Sequence, residues 1–398
     1  MNPEGLDTYK KEFRKIHALT TTNCNISPSP STINFAVLGV ISHPFIHPSP
    51  LFSFVSHCLT LRMAKLLVIT LLVTLLAFLL EAQSDSGTIS SFQTGKFSTT
   101  YYQVEESDPA SPPKPLLIVT PIIQGTYPVI IFLHGTCLSN SFYTDLLQHI
   151  SSHGYIVVAP QLYSCLINRV IPMLPISGPA ELEFAVQVVN WSPSGLQSVL
   201  PENVKGDLNK LSVSGHSRGG KTAFALALGY ADTPLEVKIS TLAGIDPVEG
   251  TSKNNPIQPK ILTYVPRSLN LSIPVTVIGT GLGNQPVCWL VCPACAPDEM
   301  NHEEFFNECR APAGHFVTTD YGHMDMLNDN ITDIVGRLTN SLCKSGVNPK
   351  EPMRRTVGGI VVAFLKVYFE GESGDYMAIV KGTSVAPVKL APIQFTEA

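Results

Sequence analysis

The chain has 398 residues, of which 44% are hydrophobic and 14% charged, with a formal net charge of −5. That length can bury a sizeable core, as one large domain with extensions or as two small ones. A net negative charge with no long run of Lys or Arg lacks the electrostatic footprint that nucleic-acid binding needs, so nucleic acid is set aside as a partner.

Residues 1–62 are rich in Ser, Thr, Pro and His, and their only acids are Glu4, Asp7 and Glu12. Such a stretch cannot pack a core. Met63-Ala-Lys65 then introduces an uncharged apolar run, residues 66–80, closed by Glu81-Ala-Gln-Ser84. A short basic start, a run shorter than the roughly 20 residues of a spanning helix and a small residue at Ala82 have the pattern of a secretory signal peptide, with a tilted anchor as its neighbour. Signals of that kind begin at the initiator, so the expected start is Met63, with residues 1–62 an upstream gene-model extension. The competing expectation is a Ser-rich, acid-poor plastid transit peptide covering the whole leader, residues 1–83. Residues 84–398 are expected to form the folded domain.

From about residue 98 short apolar runs alternate with helical patterns. Strands are expected at 128–135, 155–160, 211–215, 238–245, 273–279 and 315–320, and helices at 143–153, 219–230 and 352–368. Strands alternating with helices imply an α/β fold, a mostly parallel central sheet with helices on both faces. Each run is short and apolar throughout, as parallel strands buried on both sides should be. Residues 164–207 contain Pro172, Pro175, Pro179 and Pro193. They read as a lid-like insertion over the strand ends, with a helix near 180–190.

Cys288, Cys292 and Cys295 are spaced C-x-x-x-C-x-x-C, which is compatible with an iron-sulfur cluster. The plainer reading is a loop with one or two disulfides, including Cys309 and Cys343, or free thiols. No metal or cofactor is expected.

Gly215-His-Ser-Arg-Gly219 fits G-x-S-x-G, between an apolar strand and a helix-forming run. A strand that turns abruptly into a helix crowds the backbone, so glycines without a Cβ permit the turn and lift Ser217 above the sheet as a nucleophile. A serine hydroxyl needs a base within hydrogen-bond reach, and the base needs a third group to fix its tautomer. In this kind of fold the order is Ser, acid, His, and His302, His315 and His323 are the histidines that follow Ser217. His323 lies just beyond the last expected strand, at the same sheet end as the elbow. His315 would begin that strand, roughly 10 Å or more away at about 3.3 Å per residue. His302, in Asn301-His-Glu-Glu304, reads as part of a surface polar cluster. Asp246, in Gly244-Ile-Asp-Pro-Val248, ends the strand after the elbow helix and is taken first as the acid, with Asp298 or Glu299 as the alternative one strand later. The oxyanion would be received by the N–H groups of Arg218 and Thr136, the latter after Phe132-Leu-His-Gly135, whose His134 reads as a loop-shaping residue.

These segments carry a resemblance. Phe132-Leu-His-Gly-Thr136, Ser152-His-Gly-Tyr-Ile-Val-Val-Ala-Pro-Gln-Leu-Tyr163, Gly215-His-Ser-Arg-Gly-Gly220, Gly244-Ile-Asp-Pro-Val248, Asn301-His-Glu-Glu-Phe-Phe306 and Asp320-Tyr-Gly-His-Met-Asp325 together resemble the plant chlorophyllases, over residues 98–395. The resemblance implies the α/β-hydrolase fold and hydrolysis of the phytyl ester of chlorophyll to chlorophyllide and phytol. It also implies Ser217, Asp246 and His323 as the catalytic set, a chloroplast location and room for peripheral membrane association. An isoprenoid tail offers about 0.8 kcal/mol per buried methylene, which an apolar groove under residues 164–207 would supply. A generic lipase or carboxylesterase, or a non-catalytic binder of the same fold, are the competing functions.

Overall fold

The computed structural model describes residues 63–65, 67–72, 74, 89–167, 171–172, 174–288, 292–331, 341–382 and 386–397. The chain divides into two units, residues 1–82 and 83–398. In the first, the described residues are helical. The readings of residues 1–62 and of most of 63–83 fall outside the described residues. Among those described, no helix is long and apolar enough to cross a membrane.

The second unit is built on a nine-stranded sheet. Its strands are β1 (Thr99–Val104), β2 (Leu116–Pro121), β3 (Gly125–Leu133), β4 (Ile156–Pro160), β5 (Val204–His216), β6 (Thr241–Ile245), β7 (Val275–Thr280), β8 (Ala313–Thr318) and β9 (Leu390–Thr396). They lie in the order β1-β2-β4-β3-β5-β6-β7-β8-β9. From β4 to β8 every pairing is parallel, whereas β1 with β2, β2 with β4 and β8 with β9 are antiparallel. This is the mostly parallel sheet that the alternating pattern predicts, extended at both edges by antiparallel strands that it did not predict.

Alternation along the strands divides the core in two. In β3, Val129, Ile131 and Leu133 point to one face, and Ile130 and Phe132 to the other. The first face is covered by α2 (Gly178–Val199), α3 (Arg218–Ala227) and α4 (His302–Glu308), through side chains such as Leu182, Val186, Phe224 and Phe305. The second is covered by α1 (Thr144–Ser152), α5 (Glu351–Leu365) and α6 (Gly374–Val380), through Leu146, Leu147, Ile360 and Tyr376. Helix α5 tolerates Gly359 in its interior because it packs very closely there: a Cβ at that position would stand 2.3 Å from the Phe92 ring.

Several boundaries differ from the sequence reading. The stretch 164–207 holds more regular structure than its prolines indicated. Ser177 caps α2 by accepting the Ala180 N–H at 3.3 Å, and Pro179 falls in the first turn, where its missing N–H costs nothing. The apolar face of α2 lies in the core, so residues 178–199 form a crossover helix on the sheet. Strand β8 begins at Ala313, which makes His315 its third residue.

Candidate active site

The parallel register brings the carboxyl ends of the central strands to one edge. His216 of β5 pairs with Ile245 of β6, and Ile245 with Ile278 of β7. Ser217 follows β5, Asp246 follows β6, and β7 and β8 end opposite each other at Thr280 and Thr318. A single sheet edge therefore gathers residues more than a hundred positions apart in the sequence.

Ser217 adopts φ 58° and ψ −127°, a conformation that costs a non-glycine residue about 1–3 kcal/mol and that the surrounding structure must enforce. Its N–H donates to the Ile245 oxygen at 3.0 Å, and its own carbonyl accepts from Val248 N–H at 3.1 Å. The flanking glycine is required by space, because a Cβ on Gly219 would lie 2.3 Å from the Leu133 oxygen. The turn holds the Ser217 hydroxyl 2.7 Å from His323 Nε2.

His323 Nδ1 lies 2.7 Å from Asp246 Oδ2. The carboxylate can only accept, so Nδ1 carries the proton and Nε2 is left as the acceptor for the serine hydroxyl. Asp246 is fully buried and has φ 43°. Thr280, at the end of β7, donates its hydroxyl to Asp246 Oδ2 at 2.5 Å and its N–H to Oδ1 at 3.3 Å. Burial pushes the Asp246 pKa up, but the hydrogen bond and charge of His323, the charge of His302 and the Thr280 hydroxyl together hold it down to about 2.

The other two histidines stand behind the acid. His302 opens α4 but is buried, not part of a surface cluster, with Nε2 3.9 Å from Asp246 Oδ1 and Nδ1 2.8 Å from His315 Nε2. His315 Nδ1 in turn meets Gln394 Oε1 of β9 at 2.8 Å. The alternative acids lie elsewhere: Asp298 is exposed and accepts from Asn284, and Glu299 is exposed and pairs with Lys253.

Thr136 and Arg218, the expected oxyanion donors, line one cavity of about 210 Å³ with Ser217. As the first residue of α3, Arg218 has an N–H with no partner inside the helix, at the positive end of the helix dipole. Its guanidinium is bound to the buried Glu181 of α2 and to the Ile176 oxygen. Burial pushes the Glu181 carboxyl up and Arg218 pulls it down, with burial prevailing. His134 shapes the loop, as expected: its ring contacts the Gly135 oxygen at 2.8 Å and accepts the Leu162 N–H at 3.1 Å.

The remaining cavity wall was not foreseen. Val248, Ile257 and Cys295 belong to it, from a small hairpin after Asp246 and from the loop that precedes α4. None of the described residues of 164–207 lines it. Cysteine pairing builds the surroundings. Cys137–Cys165 fastens the loop beside Thr136, Cys295–Cys343 fastens the wall, and Cys288–Cys292 closes a short loop. The thiols of the C-x-x-x-C-x-x-C run are thus divided between two disulfides, and Cys309, which the sequence reading offered to a disulfide, is buried and free.

Thr280 and His302 were missed among the residues around the acid. Thr280 had a signal, since it ends the strand beside the one that carries Asp246; the inward turn of His302 had none.

A mostly parallel sheet with a strained serine after its central strand, and a histidine and a buried aspartate at the same edge, define an α/β-hydrolase. The profile of the chlorophyllase family matches residues 87–397. Chlorophyllase-1 of Arabidopsis thaliana is 48% identical over 322 residues, which cover 79% of this chain and 96% of that protein. Chlorophyllase-1, chloroplastic, of Citrus unshiu is 49% identical over 317 residues, 79% of this chain and 91% of that protein. Chlorophyllase-2 of Arabidopsis thaliana is 44% identical over 314 residues, 75% and 95% of the two chains. The chain belongs to the chlorophyllase family. It is an enzyme, a carboxylic ester hydrolase, and its substrate is the one the family implies, chlorophyll.

Proposed function

We propose that Ser217 attacks the carbonyl of the phytyl ester of chlorophyll, with His323 as general base and Asp246 as the group that orients and stabilises it. The observation that carries this reading is the pair of 2.7 Å contacts running from Ser217 Oγ through His323 to Asp246. As Oγ bonds to the carbonyl carbon its proton passes to His323 Nε2, and the carbonyl oxygen gains the displaced electron pair. That oxyanion is received by the N–H groups of Thr136 and Arg218, each worth about 3 kcal/mol in the transition state. The imidazolium returns the proton to the departing phytol oxygen. Water, deprotonated by His323, then attacks the acyl-enzyme, the bond to Ser217 Oγ breaks, and His323 returns the proton to Oγ as chlorophyllide is released. No step runs through a cofactor, and the magnesium of the pigment belongs to the substrate.

A cavity of about 210 Å³ is smaller than the roughly 300–1,000 Å³ that encloses a whole drug-sized ligand. In this reading it takes the ester and its nearest neighbours, and the tail and macrocycle lie across the surface around its mouth. That favours peripheral association with the membrane that holds the pigment. We take the chloroplast as the compartment, on the names of two relatives, Chlorophyllase-1, chloroplastic, of Citrus unshiu and of Citrus sinensis. Residues 1–83 then act as a removable leader and 84–398 as the catalytic part.

The test is release of phytol from chlorophyll in detergent micelles. We expect a higher kcat/KM for the phytyl ester than for p-nitrophenyl or triglyceride esters, because binding of tail and macrocycle also lowers the transition state. Rapid hydrolysis of short esters with chlorophyll left intact would replace this reading with a generic carboxylesterase.

A further inference from the structure

Two buried side chains stand against the site without a part in the reaction above. Tyr143, immediately before α1, and His216, the last residue of β5, are both wholly buried. The Tyr143 hydroxyl accepts the Gly135 N–H at 3.0 Å and lies 2.8 Å from His216 Nδ1. His216 Nε2 lies 2.9 Å from the backbone oxygen of His323. The proton positions follow from the partners. A carbonyl only accepts, so Nε2 carries the proton; a neutral imidazole then offers Nδ1, and the Tyr143 proton points at it, leaving the hydroxyl oxygen for Gly135. Each donor has one acceptor. Burial first, and then the neighbouring His323, hold the His216 pKa down to about 3, in keeping with the neutral ring this pattern needs. The two imidazoles also lie against each other at a tilt of 40°, with centroids 4.6 Å apart.

This chain of bonds touches all three loops of the site: Gly135 precedes Thr136, His216 precedes Ser217, and His323 is the base. We infer that Tyr143 and His216 are positioning residues that lock the oxyanion loop, the elbow and the base loop into one hydrogen-bonded unit. The separation of Ser217 Oγ from His323 Nε2 is then set before substrate arrives. The inference rests on the reading of Ser217 and His323 as nucleophile and base.

Three variants of the full chain separate positioning from packing. His216→Leu keeps similar bulk and removes both bonds. His216→Gln returns an amide nitrogen near Nε2 that can donate to the His323 oxygen. Tyr143→Phe removes only the hydroxyl. Each is measured for kcat and KM on a p-nitrophenyl ester, for the rate at which a fluorophosphonate labels Ser217, and for its urea midpoint. A displacement of about 1 Å costs on the order of a hundredfold in rate, so we expect kcat and labelling to fall about 30- to 100-fold in His216→Leu and about tenfold in Tyr143→Phe. His216→Gln should regain at least about threefold over His216→Leu, with KM within about threefold throughout. Equal losses in the Leu and Gln variants, activity that merely tracks the urea midpoint, or full activity in Tyr143→Phe would overturn the inference. A wild-type chain that is not labelled at Ser217 overturns the triad reading itself, and this inference with it.

Discussion

Replacing Asp246 by asparagine changes one atom and tests the electrostatic centre of the site. The carboxylate accepts from the Thr280 hydroxyl and His323 Nδ1 at Oδ2, and from the Thr280 N–H at Oδ1. An amide has a single acceptor oxygen, so one position must turn a donor toward donors. With the oxygen at Oδ2, the amide nitrogen faces the Thr280 N–H. With the nitrogen at Oδ2, His323 keeps its contact only by moving its proton to Nε2, where it can no longer accept from Ser217. Either arrangement also removes the anion that stabilises the imidazolium. A wrong tautomer at such a triad costs about four orders of magnitude in kcat, or roughly 5 kcal/mol at about 1.4 kcal/mol per tenfold. Stability moves in a defined direction too. The folded pKa of Asp246, about 2, lies below its ordinary 3.8, which corresponds to about 2 kcal/mol of stability that is fully present above pH 4 and lost as the pH falls toward 2. The Asn variant lacks this component, so its unfolding should be less sensitive to pH in that window. The assay is ester turnover at neutral pH beside urea melts at several acid pH values. A folded variant within tenfold of wild-type kcat, or an Asp298→Asn variant that is more damaged, would refute the assignment.

Three further outcomes follow from the same geometry. Ser217→Ala should reduce turnover at least about 10⁴-fold with unchanged circular dichroism, and retained hydrolysis would remove Ser217 from the mechanism. His323→Ala should lose several orders of magnitude in kcat, whereas His315→Ala, whose partners are His302 and Gln394, should lose far less; equal losses would mean that His323 is not the base. Exchanging both Cys137 and Cys165 for serine opens a cross-link of sequence separation 28, worth about 3–4 kcal/mol by chain entropy, and should lower the urea midpoint accordingly. An unchanged midpoint would show that the bond does not constrain the unfolded chain.

Two aspects of this protein were written locally in its sequence. The two-sided apolar runs specify buried parallel strands, because period and composition act over five or six residues and need no distant partner. The elbow is equally local, since Gly215 and Gly219 make room for the turn that raises Ser217. Chain order and the end of the β6 run then put Asp246 and His323 first, with Asp298 or Glu299 left open as the acid, because parallel strands deliver their carboxyl ends to one edge. The outermost strands were not legible: β1 and β9 are partly exposed, so their burial pattern gives no continuous apolar run, whereas β2, buried throughout, does carry one and was missed.

Other features exist only in three dimensions. The prolines of 164–207 read as irregular, yet Pro179 sits where a helix start accepts it and Pro193 lies inside a helix held by its buried face, so packing overrode local propensity. His302 looks like a surface residue beside two glutamates, and it is the packing of α4 on β7 and β8 that turns it toward Asp246. Which cysteines pair cannot be read from spacing, because the partner of Cys295 lies 48 residues away and that of Cys137 lies beyond α1 and β4. Sequence alone determined the central parallel strands, the turn and the order of the three site residues, since each depends on neighbours along the chain. The tertiary fold decided what surrounds the acid, what walls the cavity and how Tyr143 and His216 join the three loops, since each depends on atoms that meet only when the sheet has formed.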